Sequence, residues 1–363
     1  MSKRQPWRRG LAAVGALGMA VVMASPASAE TAFGSVSDPI VSGLIGPLGL
    51  AVTDNGTIYV AESFGGQLTR VLPNGKRTVL FQSAGASPNG VDTTALGRVV
   101  MTLTLFPENP EGPPDDTTLV EVRPNGATTT LASLLDYEET NNPDGGQMYG
   151  FLNLPAGCEA KLLPEFGFLL PYSGIVESNP YKVATLSPFS FAVADAAGND
   201  ILRVNRNGSI STVAVLPSIP QRITLGAARD LGLPLCTVGR NYISEPVPTD
   251  VEVGPDGMWY VSALPGGPEL PGYGSVYRVN PQTGGVRLVS RGFSGAVDLA
   301  VADDGTIYVA ELFANRISSI SNGTAAPVVD VFSPGAVEIT SDGTIYATTG
   351  IFGPAGDVVI VRP

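Results

Sequence analysis

The sequence predicts an all-β chain folded as one six-bladed β-propeller, with four short antiparallel strands in each blade and the ring closed by an N-terminal strand. Three observations predict it. A two-strand unit with an Asn-Gly or Asp-Gly turn recurs at Gly49 to Glu62, Asp250 to Ala263, Asp298 to Glu311 and Ala336 to Thr349. Each unit is followed by a second pair of alternating apolar runs. The last unit has three strand candidates where the others have four, and a lone candidate precedes the first. Repeats of four short strands bury their faces only by stacking radially.

The elements follow in order. Lys3, Arg4, Arg8 and Arg9 precede an apolar run, Leu11 to Met23, and the small residues Ala27-Ser28-Ala29. That order reads as a signal peptide over residues 1–29, which leaves 30–363 as a single propeller domain. The apolar run is shorter than the roughly 20 residues a membrane helix needs. Arg8-Arg9 leaves open which export route is used. Val36 to Ser42 resembles the outer strands Thr78 to Gln82 and Pro327 to Phe332, and is expected to complete the last blade. Closure of that kind removes a free sheet edge.

In blade one, Asn55-Gly56 joins the first two strands and Asn74-Gly75 joins Gln67–Val71 to its outer partner. Asp256-Gly257, Asp304-Gly305 and Asp342-Gly343 repeat the first turn, and all four read as two-residue hairpin turns. Blade two is a degraded copy from Gly90 to Leu103. Blade three follows at Val183 to Leu186 and Phe191 to Asp195, with its second hairpin turning at Asn207-Gly208. Asn125-Gly126, Thr283-Gly284 and Asn322-Gly323 mark the remaining outer hairpins. Asn55, Asn207 and Asn322 also fit the glycosylation pattern, although each is a turn residue first.

Because strands alternate direction, the short turns fall on one face and every long connection on the other. Those connections are 106–116, 135–178, 217–245, 264–274 and 350–356. Long loops carry an entropy cost and usually serve a site. Cys158 and Cys236 lie in the two longest, insertions at about 135–178 and 217–246. An even count in an exported chain predicts one disulfide between them.

Composition narrows the chemistry. Four of the 21 basic residues and none of the 33 acidic ones fall in the leader, so the rest of the chain carries a formal charge of −16. Such a surface argues against nucleic acid and anionic membrane as partners. The chain contains no histidine, which excludes histidine bases, Ser-His-Asp triads and most transition-metal sites. No later segment reads as a membrane span, and no phosphate loop or dinucleotide fingerprint is present.

Acidic residues converge on the long-loop face. Asp250 and Asp298 stand at the start of innermost strands, seven residues before their turn glycines. Asp92, Glu252 and Glu338 stand two residues further on, on the same side of the strand. Glu62, Asp195 and Glu311 end second strands. These last three are read first as acceptors for backbone N–H groups of the next turn. Asp250, Asp298, Glu62, Asp195 and Glu311 are candidate ligand contacts, and Asp250, Asp298 and Glu338 are candidate ligands for Ca²⁺. The acidic stretch Asp136 to Glu139 is a second place for an ion.

The unit ending Ile-Tyr-Val-Ala-Glu is similar to the NHL and gluconolactonase-like propeller repeats. Asn141 to Asp144 with Ser178 to Tyr181, then Val193 to Val204, then Val247 to Gly257, resemble in that order the ScyD/ScyE family of exported propellers, over nearly all of residues 36–362. The resemblance implies an exported propeller, and it carries no catalytic residues over to this sequence. Gln147 to Val176 departs from it as an extra insertion, and Lys182 stands where glycine is expected.

Two function classes follow. One is a binding or scaffold propeller for a small molecule or protein, with its site at the channel mouth on the long-loop face. The other is a Ca²⁺-dependent hydrolase or lactonase of gluconolactonase-like type, whose oxygen-only metal site needs no histidine.

Overall fold

The computed structural model describes residues 34–95, 97–107, 114–353 and 355–363. The expected signal peptide lies outside the described residues. Six four-stranded antiparallel sheets form the ring. Blade one comprises Pro47–Val52, Ile58–Glu62, Gln67–Val71 and Arg77–Gln82. Blade two comprises Ala86–Thr93, Val99–Leu105, Asp116–Val122 and Thr128–Ser133. Blade three comprises Pro180–Ser187, Ser190–Asp195, Asp200–Asn205 and Ile210–Val215. Blade four comprises Pro248–Val253, Trp259–Ala263, Gly274–Val279 and Val286–Phe293. Blade five comprises Ala296–Val301, Ile307–Glu311, Arg316–Ser321 and Thr324–Asp330.

Blade six takes Val337–Ile339, Ile345–Thr349 and Gly356–Arg362 from the end of the chain and its outer edge from the beginning. That edge is two short strands, Ser35–Val36 and Val41–Leu44, where the sequence predicts one. Ser35 pairs with Arg362, and Val41 pairs with Val358. The break falls at Asp38-Pro39, because proline has no N–H to give to a ladder. The N–H groups of Ser37 and Ile40 still reach Ile360 O and Val358 O at 2.9 Å, so the closure is continuous across the break.

The inner turns differ from expectation in one respect. In blade one, Thr53 N donates to Thr57 O and Gly56 N to Thr53 O, a three-residue turn in which Gly56 alone is left-handed, at φ 78°. The Asn or Asp before the glycine supplies a side-chain acceptor instead. Asn55 Oδ1 takes Thr57 N at 3.1 Å, and Asp304 Oδ1 takes Thr306 N at 2.8 Å. A two-residue turn is found at Asn322-Gly323, where both residues have positive φ and Ser321 pairs with Thr324.

The apolar core is divided among the blade interfaces. Leu68 and Met101 lie in the cluster between blades one and two, Val193 and Leu119 between two and three, and Val261 and Ile201 between three and four. Side chains facing out of each sheet are therefore buried by the neighbouring sheet, which is what holds a ring of small sheets together.

The two long insertions fold into a cap beside blade three. Helix α1 (Leu134–Asn141) leads into the first, α2 (Ala156–Phe166) lies within it, and α3 (Leu225–Asp230) lies in the second. Phe151, Leu162, Leu169, Ile223, Leu233 and Tyr242 form the cap's own core. The expected disulfide is present, Cys158 to Cys236, with Cα atoms 5.8 Å apart. The cap leans on the 264–274 loop of blade four, where Gln221 Nε2 donates to Gly266 O and Gln221 Oε1 accepts from Leu270 N, both at 2.8 Å.

Candidate functional site

The innermost strand of each blade is a sheet edge, so half of its N–H and C=O groups have no strand to pair with. Five of the six carry an irregularity at the same place, at Leu48, Asn89-Gly90, Tyr181, Thr249 and Val297. Four of these follow a proline, and in blades one, three and four that proline is the strand's first residue, where its missing N–H costs nothing. The bulge changes which residues face the axis. At the first axial level beyond it stand Gly49, Gly90, Lys182, Asp250, Asp298 and Ala336. At the second stand Ala51, Asp92, Ala184, Glu252, Ala300 and Glu338.

The sequence reading places Asp250 and Asp298 near one another, and the structure brings both to the first level. They are 3 % and 4 % exposed. Each caps the free N–H of the next blade: Asp250 Oδ2 accepts from Leu299 N and Asp298 Oδ1 from Val337 N, both at 2.9 Å. Asp92 does the same for Thr185 N at 2.6 Å. Lys182, the residue in place of the expected glycine, reaches across the channel. Its Nζ is ion-paired with Asp298 Oδ2 and donates to Leu48 O at 2.7 Å. The absence of side chains at Gly49 and Gly90 is required by the crowding there: a Cβ on Gly90 would lie 2.5 Å from Lys182 Cα.

Lys182 therefore takes the place beside Asp298 that the sequence reading assigned to Ca²⁺. The residues at this level suit an ammonium rather than a metal ion. Burial, then the Asp298 charge, holds the Asp250 carboxyl well above the usual carboxylate range. Burial raises Asp298 as well, opposed by Lys182. Glu252 and Glu338, at the second level, are also raised well above their ordinary values by burial and then by the other channel carboxylates. Among the described residues no three His, Cys, Asp or Glu side chains are drawn together as metal ligands.

The expected mouth on the long-loop face is covered. Leu48, Tyr181, Leu264, Val297 and Ile351 belong to one buried apolar cluster built from five blades at that end. Exposure rises in the other direction, since Asp92, Glu252 and Glu338 are half-buried while Asp250 and Asp298 are buried.

The acids that end second strands serve the backbone. Glu62 Oε2 accepts from Ile45 N at 2.7 Å, Glu311 Oε2 from Ser294 N at 2.8 Å, and Asp195 Oδ1 from Asn179 N at 2.7 Å. In each case the donor lies just before the inner strand of the same blade. These three do not meet one another or the channel pair in one site. Asp195 differs from the other two: it stands beside Glu138, Asp144 and Asp200, and burial raises it.

A feature that the sequence reading missed lies further out on the long-loop face. Phe64 and Phe313 stand two residues beyond the end of the second strand in blades one and five, Phe352 stands three beyond it in blade six, and all are exposed. Phe332, between blades five and six, is 70 % exposed. The segments that carry the four adjoin one another. Phe64 and Phe352 stack with centroids 6.3 Å apart, Gly350 N donates to Phe332 O, and Asn315 Oδ1 accepts from Ser333 N. The periodic placement was visible in the sequence; the exposure was not, because apolar residues are normally assigned to the core.

No family model and no curated protein matches the chain. Among solved structures it is similar to a putative oxidoreductase (glucose dehydrogenase) from Thermus thermophilus, with 16 % identity over 91 % of this chain and 99 % of that one and a TM-score of 0.54. It is similar to the PQQ-bound aldose sugar dehydrogenase from Streptomyces coelicolor, with 14 % identity over 92 % and 99 % and a TM-score of 0.54. It is also similar to a gluconolactonase from Xanthomonas campestris, with 12 % identity over 89 % and 86 % and a TM-score of 0.53. At these identities the likeness extends to the propeller fold alone.

Proposed function

We propose that the protein is an exported binding propeller of the ScyD/ScyE kind, without catalysis of its own, and that it takes its ligand on the long-loop face. The observation that supports this reading is the engagement of the channel acids. Asp92, Asp250 and Asp298 hold inner-strand N–H groups, and the channel's cation is a lysine of the chain itself. A hydrolytic site needs a carboxylate free to act as base and an open path to it. The exposed crescent of Phe64, Phe352, Phe332 and Phe313 is instead the kind of contiguous apolar surface that binds a partner. Its ligand is a small molecule or protein with an extended apolar face. The disulfide suits an extracellular location.

The competing reading draws on the half-buried trio Asp92, Glu252 and Glu338, approached from the short-turn face. A lactone-hydrolysis assay with gluconolactone and added Ca²⁺ decides between them. The binding reading expects no turnover above background. Turnover that disappears in Glu252→Gln would replace it with the lactonase reading.

A further inference from the structure

The carboxyl groups between the cap and blade three differ from those of the channel in how few donors reach them. Glu138 comes from α1, Asp144 from the loop after it, and Asp195 and Asp200 from the two sides of the turn between the second and third strands of blade three. None of the four is more than 3 % exposed. Asp195 is well served: it accepts from the N–H groups of Asn179, Ala197 and Gly198 and from the Ser178 hydroxyl. The other three are not. Asp144 Oδ2 takes the Tyr149 hydroxyl at 2.9 Å and Asn199 Nδ2 at 2.8 Å, and Asp200 Oδ2 takes the Thr212 hydroxyl at 3.4 Å. Asp144 Oδ1, Asp200 Oδ1 and Glu138 Oε1 accept from nothing, and the amide oxygens of Asn142 and Asn199 beside them are also without donors.

All five of these atoms are acceptors, so the junction is short of hydrogens rather than of oxygens. Buried polar groups are normally paired, and the missing donors need a source. A metal ion is not that source, since no three acidic side chains among the described residues are drawn together to hold one. Nor is a basic side chain, since no ion pair among the described residues involves these acids. A carboxyl group that takes a proton becomes a donor itself, and it sheds a charge that burial makes costly.

The geometry gathers the groups that would share such protons. The Cβ position of Gly198 lies 3.3 Å from Asp200 Oδ1, 3.4 Å from Asp195 Cγ and 3.5 Å from Glu138 Oε2, so three carboxyl groups surround that turn. The Asn199 amide draws Asp144 to the same turn. Asp195 has four donors to hold its charged form, which leaves the protons to the other three. Burial raises all four above the usual carboxylate range, and it takes Glu138 to about 8, with the Asp195 and Asp144 charges as further causes. The cap adds more acids. Glu177, just before blade three, and Glu245, at the end of the second insertion, are both pushed up to about 7 by burial and then by neighbouring carboxylates. Burial raises the phenols of Tyr149, Tyr172 and Tyr242 as well, so they stay protonated. No lysine or arginine charge acts on any of these groups.

We propose that the cap is latched to blade three by protons shared among Glu138, Asp144 and Asp200, with the Asn142 and Asn199 amide oxygens as further acceptors, and that loss of these protons frees the first insertion as pH rises. The closed junction binds more protons than the open one, whose carboxyls return to their ordinary values in water. Closure is therefore strongest in acid, weakens as pH climbs past the ordinary carboxylate range, and is weakest above the folded values. The disulfide and the shared apolar core keep the two insertions together, so the cap loosens as one unit.

The test is hydrogen exchange of the whole exported chain at about pH 6 and about pH 9, on either side of the Glu138 value, with rates corrected for the intrinsic pH dependence of amide exchange. The N–H groups of Gly145, Gln147 and Gly174, hydrogen-bonded within the first insertion, report the latch. Their protection should fall at least tenfold, because release of one proton shifts the opening equilibrium by up to about tenfold per pH unit. The strands of blade one should lose less. Glu138→Gln and Asp200→Asn put a permanent donor where the proton sits, so each should keep the insertion protected at the higher pH. No fall in the wild type would overturn the proposal and leave buried water to serve these acceptors. So would an equal fall in blade one, or a fall of wild-type size in both variants.

Discussion

The channel and the cap junction of blade three are both buried and both rich in carboxylates, yet they solve the problem of buried charge differently. In the channel each aspartate points at the edge of the next blade and accepts an N–H that has no strand to pair with. The one buried cation there is covalently part of the chain. At the cap junction the backbone is already paired within blade three or α1, so the carboxylates find few donors and several oxygens accept from nothing. The comparison teaches that acid content alone does not mark an ion site. What matters is which donors the local backbone leaves for the acids.

The largest expected effect is on the channel side. Lys182→Met keeps most of the side-chain volume and removes the cation ion-paired with Asp298. Breaking one partner of a buried pair costs about 3–5 kcal/mol, read as a lower urea midpoint with an unchanged slope. A loss below about 0.5 kcal/mol, the range of ordinary surface substitutions, would mean that the channel acids do not depend on Lys182, and the contrast with the cap junction would fail.

The disulfide sharpens the other side. Replacing Cys158 and Cys236 together by serine should cost about 2–4 kcal/mol, measured by denaturant titration.

A smaller effect concerns pH. The folded pKa values of Asp250, Glu252 and Glu338 lie well above their ordinary values. The folded chain therefore binds more protons than the unfolded one once pH exceeds the unfolded values. Stability must fall as pH rises through that window. Denaturation curves at pH values above the ordinary carboxylate range should show the decline, and Glu252→Gln should flatten it. A steeper decline in the variant would contradict the assignment of Glu252 as a carboxyl whose pKa is raised by burial and then by its acidic neighbours.

Much of the ring was legible because each unit carries its own markers. The Asn-Gly and Asp-Gly turns, the Tyr at one recurring position and the three-stranded last unit predict blades, order and closure. The finer turn geometry was not legible, since a glycine after Asn or Asp suits both a two-residue turn and the three-residue turn found at Gly56. The split at Asp38-Pro39 was readable in principle from the proline. Asp250 and Asp298 could be placed by counting back from their glycines, and Lys182 stood out as a departure from glycine. Its reach across the axis to blade five depends on the bulges and on the empty positions at Gly49 and Gly90, which no single repeat displays. The cap junction was least legible, because Glu138 and Asp200 come together only through an insertion whose path has no repeat to copy.

Anomalous diffraction from a crystal of the exported chain soaked in CaCl₂ would test the central contrast most directly. The account predicts no cation peak beside Asp250 and Asp298, where the Lys182 ammonium stands. A cation peak on the channel axis would contradict it.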